Sequence, residues 1–301
     1  MIIKSMNIIN NRGDSILFEG TVTGDFKLYQ DFDTSGLSAS VNYIDGTSDG
    51  SYYQNTVLDN REFDVPFFIH RQWNGYEWIE NKRHEAFKVF NPKANPFKVE
   101  FTTKSGEEYY INANLTASPS FPMSFSDHNN EWQKGLLQFV GTDPYIYKKN
   151  ATTAYIATWV SAFEFPLEIP INEGVEFGYR SESLIANVVN DGQEKTGMII
   201  TFKALGDLTN PSLFNMDTRD ELKISTTMQA GDIIEVSTYE RRKYIKLIKS
   251  NGDESNLFNA IDFNSRFLQL DVGDNHFRYD ADIGIDNLEI SMTFNSRYLG
   301  V

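Results

Sequence analysis

Apolar and polar positions alternate with a period of two along much of this chain. The clearest run is the last: Leu288, Ile290, Met292 and Phe294 are apolar, while Glu289, Ser291 and Thr293 are polar. That pattern sets one face of a strand on a core and wets the other. Phe97-Lys98-Val99-Glu100-Phe101 alternates in the same way. With the Lys104-Ser105-Gly106-Glu107 turn and Tyr109-Tyr110-Ile111 it predicts a hairpin. Further strands are predicted at Ile199-Ile200-Thr201-Phe202, Leu222-Lys223-Ile224, Ile233-Ile234-Glu235-Val236 and Ile245-Lys246-Leu247-Ile248. Asn210-Pro211, Ala230-Gly231-Asp232 and Asn251-Gly252-Asp253 punctuate them. Short strands with turn signals this close predict an all-β sandwich or jelly roll.

One segment has helical spacing instead. Ile79, Arg83, Ala86, Phe87 and Phe90 fall on one face, Glu80 comes early and Lys88 late to suit the helix dipole, and Asn91-Pro92 stops the run. Gly46 to Ser51 reads as a flexible loop, and Tyr155 to Val160 as a linker strand.

At the middle of the chain, Leu137 to Tyr147 reads as a strand that ends at Asp143-Pro144, because proline holds its predecessor extended and supplies no ladder donor. A second unit opens with Phe165-Pro166, inside the alternating run Phe163 to Ile171. A chain of 301 residues is near the limit of a single core, so two modules are expected, residues 1–150 and 151–301. Both are expected to be mainly β, the first carrying the helix and the hairpin. Trp132 and Phe139 are expected to pack the first core.

Composition narrows the chemistry. The chain has no cysteine, which excludes disulfides, thiolate metal sites and thiol nucleophiles. Formal net charge is −15, and an acidic surface opposes duplex binding, which depends on clustered cations. The one basic cluster, Arg241-Arg242-Lys243, reads as a solvated turn. No apolar run approaches the roughly 20 residues of a membrane span. Met1 to Asn7 has no apolar core of a signal peptide, so secretion is not expected.

The histidines, His70, His84, His128 and His276, have no metal-ligand spacing. Neither a Gly-x-Ser-x-Gly elbow nor a phosphate-binding glycine loop is present. Asp280, Asp282 and Asp286 mimic part of a calcium loop. Its fifth position lacks Asp or Asn and its Glu falls early, which favours an acidic turn before the final strand. Trp73, Tyr76 and Trp78 around Gly75 are candidate sugar-stacking rings or half-buried packing.

The order of motifs carries further information. Asn60-Arg61-Glu62-Phe63 is followed by the helix ending at Phe90-Asn91-Pro92, the hairpin, Trp132, and Phe139 to Tyr147 with Asp143, Pro144 and Tyr145. Then come Phe165-Pro166, Asn190-Asp191-Gly192, Met228 to Ile234 with Gly231 and Asp232, Leu270 to Asn275 with Gly273, and Ser296 to Gly300 with Tyr298. Across essentially its whole length the chain resembles the distal tail proteins of long-tailed phages of Gram-positive bacteria. The Leu270 to Asn275 turn has one residue more than the usual pattern, and the second unit lacks the long carbohydrate-binding insertion some relatives carry.

The resemblance implies a structural protein without catalytic residues or cofactor. It implies an N-terminal sandwich or split-barrel domain that closes a hexameric ring around a DNA channel, and a C-terminal galectin-like β-sandwich. The implied place is the virion tail tip, after synthesis in the host cytoplasm and with no membrane partner. The implied partners are further copies of itself, the tail tube protein, the tail-associated fibre or lysin protein, and receptor-binding or other baseplate proteins. A lectin-like adhesin and a sandwich-fold glycoside hydrolase are the alternatives. An infectious phage, a prophage and a phage-derived bacteriocin would give the same sequence signals.

Overall fold

The structure is a computed structural model that describes residues 3–19, 24–29, 33–70, 76–156, 159–161, 178–180 and 185–301. It divides into two compact units, Met1–Asn150 with Arg297–Val301, and Ala151–Ser296. The second unit is therefore inserted near the end of the first. The expected boundary of 151–301 needs correction at its far end, where five residues return to the first unit.

The first unit contains β1 (Ile3–Ile9), β2 (Ser15–Glu19), β3 (Phe26–Leu28), β4 (Ala39–Asp45), β5 (Ser51–Leu58), β6 (Arg61–His70), α1 (Tyr76–Val89), β7 (Phe97–Thr103), β8 (Glu108–Leu115), β9 (Trp132–Gly141) and β10 (Ile146–Lys148). Its main sheet runs β2-β1-β7-β8-β9-β6-β3, with β10 paired to β8. The end strands β2 and β3 approach one another, giving a nearly closed barrel. Closure removes most exposed sheet edge.

Period two decides which side chains fill this barrel. On β6, Phe63, Val65, Phe67 and Ile69 point in, while Glu62 and Asp64 stay in water. Phe97, Val99 and Phe101 do the same on β7, and Ile111, Ala113 and Leu115 on β8. Phe18, Phe67, Phe90, Phe97 and Phe139 are fully buried or nearly so, and Phe18 stands edge-on to Phe67 with centroids 5.3 Å apart. Each such ring contributes about 1.5–3 kcal/mol by leaving water.

Trp132 does not join them. It lies seven positions before Phe139, and an odd separation on a strand puts two side chains on opposite faces. Gln133, Gly135, Leu137 and Phe139 face inward, while Trp132 is half-buried on the other side, edge-on to Phe68 at 5.5 Å.

The helix α1 covers the barrel with Ile79, Ala86, Val89 and Phe90. Phe87, assigned to that face by sequence, is instead 40% exposed. At 100° per residue, 87 stands about 100° around the helix from 86 and about 60° from 90, on the solvent side of both. Asn10 donates from Nδ2 to the Val89 carbonyl at 3.0 Å and so ties the β1–β2 turn to the helix end.

The second unit holds β11 (Thr152–Tyr155), β12 (Trp159–Ser161), β13 (Gly178–Arg180), β14 (Ile185–Asn190), β15 (Ile199–Ala204), β16 (Leu208–Asn215), β17 (Glu221–Lys223), β18 (Thr227–Met228), β19 (Ile233–Ser237), β20 (Tyr244–Ile248), β21 (Glu254–Asn256), β22 (Gly273–Ile283) and β23 (Leu288–Phe294). One sheet runs β11-β23-β15-β19-β20-β21 and another β14-β22-β16-β17, with β18 on β16 and a separate β12–β13 pair. Inward side chains of the two large sheets, among them Ile200, Phe202, Ile290, Phe294, Leu213, Phe277 and Tyr279, make one core, as in a β-sandwich. Leu288, Ile290, Met292 and Phe294 are all buried on β23.

Two punctuation signals read differently in three dimensions. Asn210-Pro211 lies inside β16, not between strands. Asn210 takes φ 52°, a left-handed geometry that asparagine tolerates, so the strand kinks there and continues. Tyr155 is not linker: β11 pairs with the edge of β23, Tyr155 opposite Ser291. Arg241, Arg242 and Lys243 are exposed between β19 and β20. The chain then returns to the first unit as β24 (Arg297–Tyr298), which pairs with β10.

Candidate functional site

One buried guanidinium organises the first unit around its most exposed element. Arg61, the first residue of β6, is 3% exposed. Its Nε donates to the Pro144 carbonyl at 2.7 Å, Nη1 to Thr34 at 2.6 Å and Nη2 to Leu299 at 2.5 Å. Burial holds its pKa below the usual arginine value, yet arginine stays charged in proteins. Three segments far apart in sequence thus converge on one rigid fork, which a lysine could not reproduce.

Fingerprint residues surround this clamp. Pro144 supplies a carbonyl to Arg61. Asp143 accepts a hydrogen bond from the Tyr147 hydroxyl at 2.7 Å, and burial foremost pushes that hydroxyl's pKa upward. Arg297 lies over the Tyr145 ring at 5.0 Å and the Tyr147 ring at 5.6 Å. Tyr298 stands edge-on to Tyr109 at 5.6 Å.

The segment gripped at Thr34 leads into the β4–β5 hairpin, and Arg61 follows directly after it. Among the described residues the hairpin pairs only with itself. Asn42 donates to Asn55 across it at 2.8 Å, Ser40 donates to Asp59 at its root, and the Asp59 amide reaches Ser38. Val41, Tyr43, Ile44, Tyr52, Tyr53 and Val57 are each more than half exposed, up to 70% for Tyr52. A lone two-stranded hairpin is marginally stable in water, and apolar side chains exposed on both of its faces mark an interaction site. The sequence places a loop at Gly46 to Ser51, which is the tip apart from Ser51, but the strands on either side of it were not read. The available signal was Asp45-Gly46 and Asp49-Gly50 between two β-branched, tyrosine-rich runs.

In the second unit the fingerprint residues hold turns. Asn190 accepts from the Gly192 amide at 3.0 Å and donates to the Glu194 and Leu270 carbonyls. Asn275 accepts from the Asp271 amide and donates back to the Asp271 and Gly273 carbonyls, stapling a turn in which Gly273 adopts φ 88°. Asp232 accepts from the Gln229 and Ser250 amides, beside Gly231 at φ 90°. Phe165 and Pro166 lie outside the described residues.

The acidic cluster makes contacts of its own. Asp282 is held by Asn210 at 2.8 Å and Lys223 at 2.6 Å, and these bonds lower its pKa. Asp280 accepts from the Ala281 amide, and Asp286 sits in a short helical turn. Among the described residues, no group of three or more His, Asp or Glu is placed to hold a metal. His276 pairs with Asp217 at 3.3 Å, and His128 contacts the Ser124 carbonyl at 3.0 Å. What the described residues bring together is a set of structural clamps and an unpartnered arm.

Comparison with known proteins agrees with that character. Residues 21–140 match the family described as a phage tail protein RIFT-related domain, and residues 191–298 match the siphovirus-type tail component, C-terminal domain. The fold is similar to that of the Dit (gp 19.1) protein of phage SPP1, with TM-score 0.65 and 13% identity over 97% of this chain and 98% of that one. The chain belongs to the siphovirus distal tail protein family. As a distal tail protein it is a structural component of the phage tail and baseplate hub. A chain in the activated baseplate of phage P2 with calcium is also similar in fold, with TM-score 0.53 and 13% identity over the full length of both chains. So is one in the P2 baseplate with strontium, with TM-score 0.53 and 13% identity over 99% of each chain. No curated protein sequence matches.

Proposed function

We propose that this distal tail protein closes a ring of six copies at the tail tip, between the tail tube and the fibre or lysin protein. The first unit makes the ring, and the second faces outward, where receptor-binding or other baseplate proteins attach. The observation that carries this reading is the β4–β5 hairpin, which among the described residues pairs only with itself and leaves its apolar side chains more than half exposed. Ring subunits meet head to tail through two different surfaces, and such contacts close when the rotation permits. A net charge of −15 suits a channel through which polyanionic DNA must slide without sticking. The position implied is the virion tail tip, after synthesis in the host cytoplasm.

Electron microscopy of the purified full-length chain, alone and mixed with its tube protein, tests this. Six-fold annuli are expected. Solitary subunits in both preparations would overturn it.

A further inference from the structure

A head-to-tail ring needs a seat as well as an arm, and the first unit contains a surface with the complementary chemistry. Phe87 on α1 is 40% exposed, and on the loop between β8 and β9 Met123 is 53% exposed and Phe125 fully so. Phe87 and Met123 are linked through Phe121 and Arg83, and Phe125 lies two residues beyond Met123 on the same loop. Phe87 stands edge-on to Phe121 at 5.3 Å, Arg83 lies over the Phe121 ring at 5.1 Å, and an Arg83 nitrogen reaches the Met123 sulfur at 4.0 Å. Arg83, His84 and Lys88 flank Phe87 along the helix. Among the described residues neither Arg83 nor Lys88 has a carboxylate within ion-pair distance, whereas Lys82 is held by Asp25 and Glu85.

The arm has the opposite sign. Residues 39–59 contain Asp45, Asp49 and Asp59 and no lysine or arginine. Asp45 and Asp49 are at its tip, beside exposed Ile44 and Tyr52. An acidic, tyrosine-rich finger and a phenylalanine- and methionine-bearing patch flanked by Arg83 and Lys88 are two different surfaces of one unit, and each exposes apolar side chains. Aromatic residues, methionine and arginine are the groups enriched at protein interfaces.

We propose that the β4–β5 hairpin of one copy seats on the Phe87–Met123–Phe125 patch of the next copy, with Asp45 and Asp49 facing Arg83 and Lys88. The occupant of the patch is a second copy of this chain, so the contact repeats around the ring. This rests on the ring reading and specifies its interface. An acidic finger of this kind has no attraction for nucleic acid or for an anionic lipid surface.

The chain lacks cysteine, which makes crosslinking specific. The double variant Tyr52→Cys with Phe125→Cys, oxidised at assembly concentration, should give a ladder of covalent oligomers ending at the hexamer. Each single variant should stop at dimer or below. Charge reversal supplies an independent arm of the test. Asp45→Lys with Asp49→Lys, or Arg83→Glu with Lys88→Glu, should each weaken association by roughly tenfold or more, and mixing the two variants should restore it in alternating copies. All these positions are exposed except the half-buried Arg83, and circular dichroism checks folding. Rings that form normally in both reversed variants and give no ladder overturn the seat while the ring stands. A wild-type chain that never forms rings overturns both.

Discussion

Gly135 lies directly beneath the ring of Phe67, its partner across the β6–β9 ladder: a Cβ at position 135 would stand 2.7 Å from Phe67 Cε1 and 2.8 Å from Cε2. The glycine is there to admit the ring. Phe67 is fully buried and packs on Phe18 and Phe121, so it has little room to retreat. Gly135→Ala should therefore cost about 1–3 kcal/mol by overpacking. Combining it with Phe67→Leu should recover part of the loss, because the two changes are coupled. Urea unfolding of the single and double variants measures this, and strict additivity would contradict it.

Arg61 should behave as a clamp and not as a charge. Arg61→Lys keeps the cation but cannot reach Pro144, Thr34 and Leu299 together. Leaving buried carbonyls unpaired costs about 1–3 kcal/mol each, so a loss of at least about 2 kcal/mol is expected. Hydrogen exchange should speed up at residues 33–38 and 297–300 while β15 and β23 stay protected. Uniform loss of protection across both units would mean the effect is not local.

Trp132 and Phe139 should separate in a truncation series. Phe139 is 2% exposed, stacks on Phe63 and stands edge-on to Phe97, so Phe139→Ala should cost about 3–5 kcal/mol. Trp132 is half-buried on the opposite face, and Trp132→Ala should cost clearly less, about 1–2 kcal/mol. Equal losses would place both rings in one core.

Glu100 should make part of the stability pH-dependent. Its burial acts to raise its pKa, but hydrogen bonds from Lys98 at 2.8 Å and Lys149 at 3.0 Å, with their charges, bring it below the ordinary 4.5. A lowered folded value means that the ionised group stabilises the fold fully above the unfolded value and loses this as pH falls through the folded one. Glu100→Gln should lower Tm at neutral pH, with a deficit that shrinks once the pH drops below about 4.5. Melting curves across that range check it. A deficit unchanged at the lowest pH the fold survives would reject the assignment.

Local alternation made much of this protein legible in its sequence. The buried set on β23, the β7–β8 hairpin and the helix stop at Asn91-Pro92 all follow from spacing within one short segment, because a strand's two faces are set by parity and a helix end by its proline. Motif order along the whole length identified the family, although no single motif is specific. The turns at Ala230 to Asp232 and Leu270 to Asn275 were legible, whereas the side-chain bonds by which Asn190, Asp232 and Asn275 hold their turns were not deduced, although their residue types are those that bond to nearby backbone.

Tertiary structure alone decided the rest. Parity separated Trp132 from Phe139 only once β9 was paired with β6. The return of Arg297–Val301 to the first unit depends on a strand partner more than a hundred residues away, and the three carbonyls on Arg61 come from segments 27, 83 and 238 residues from it; neither leaves a mark in local composition. The β4–β5 hairpin has the residue types of a buried sheet and yet is exposed, because no described strand outside it pairs with it. Sequence sets which surfaces are apolar; only the assembled backbone reveals which of them find no partner.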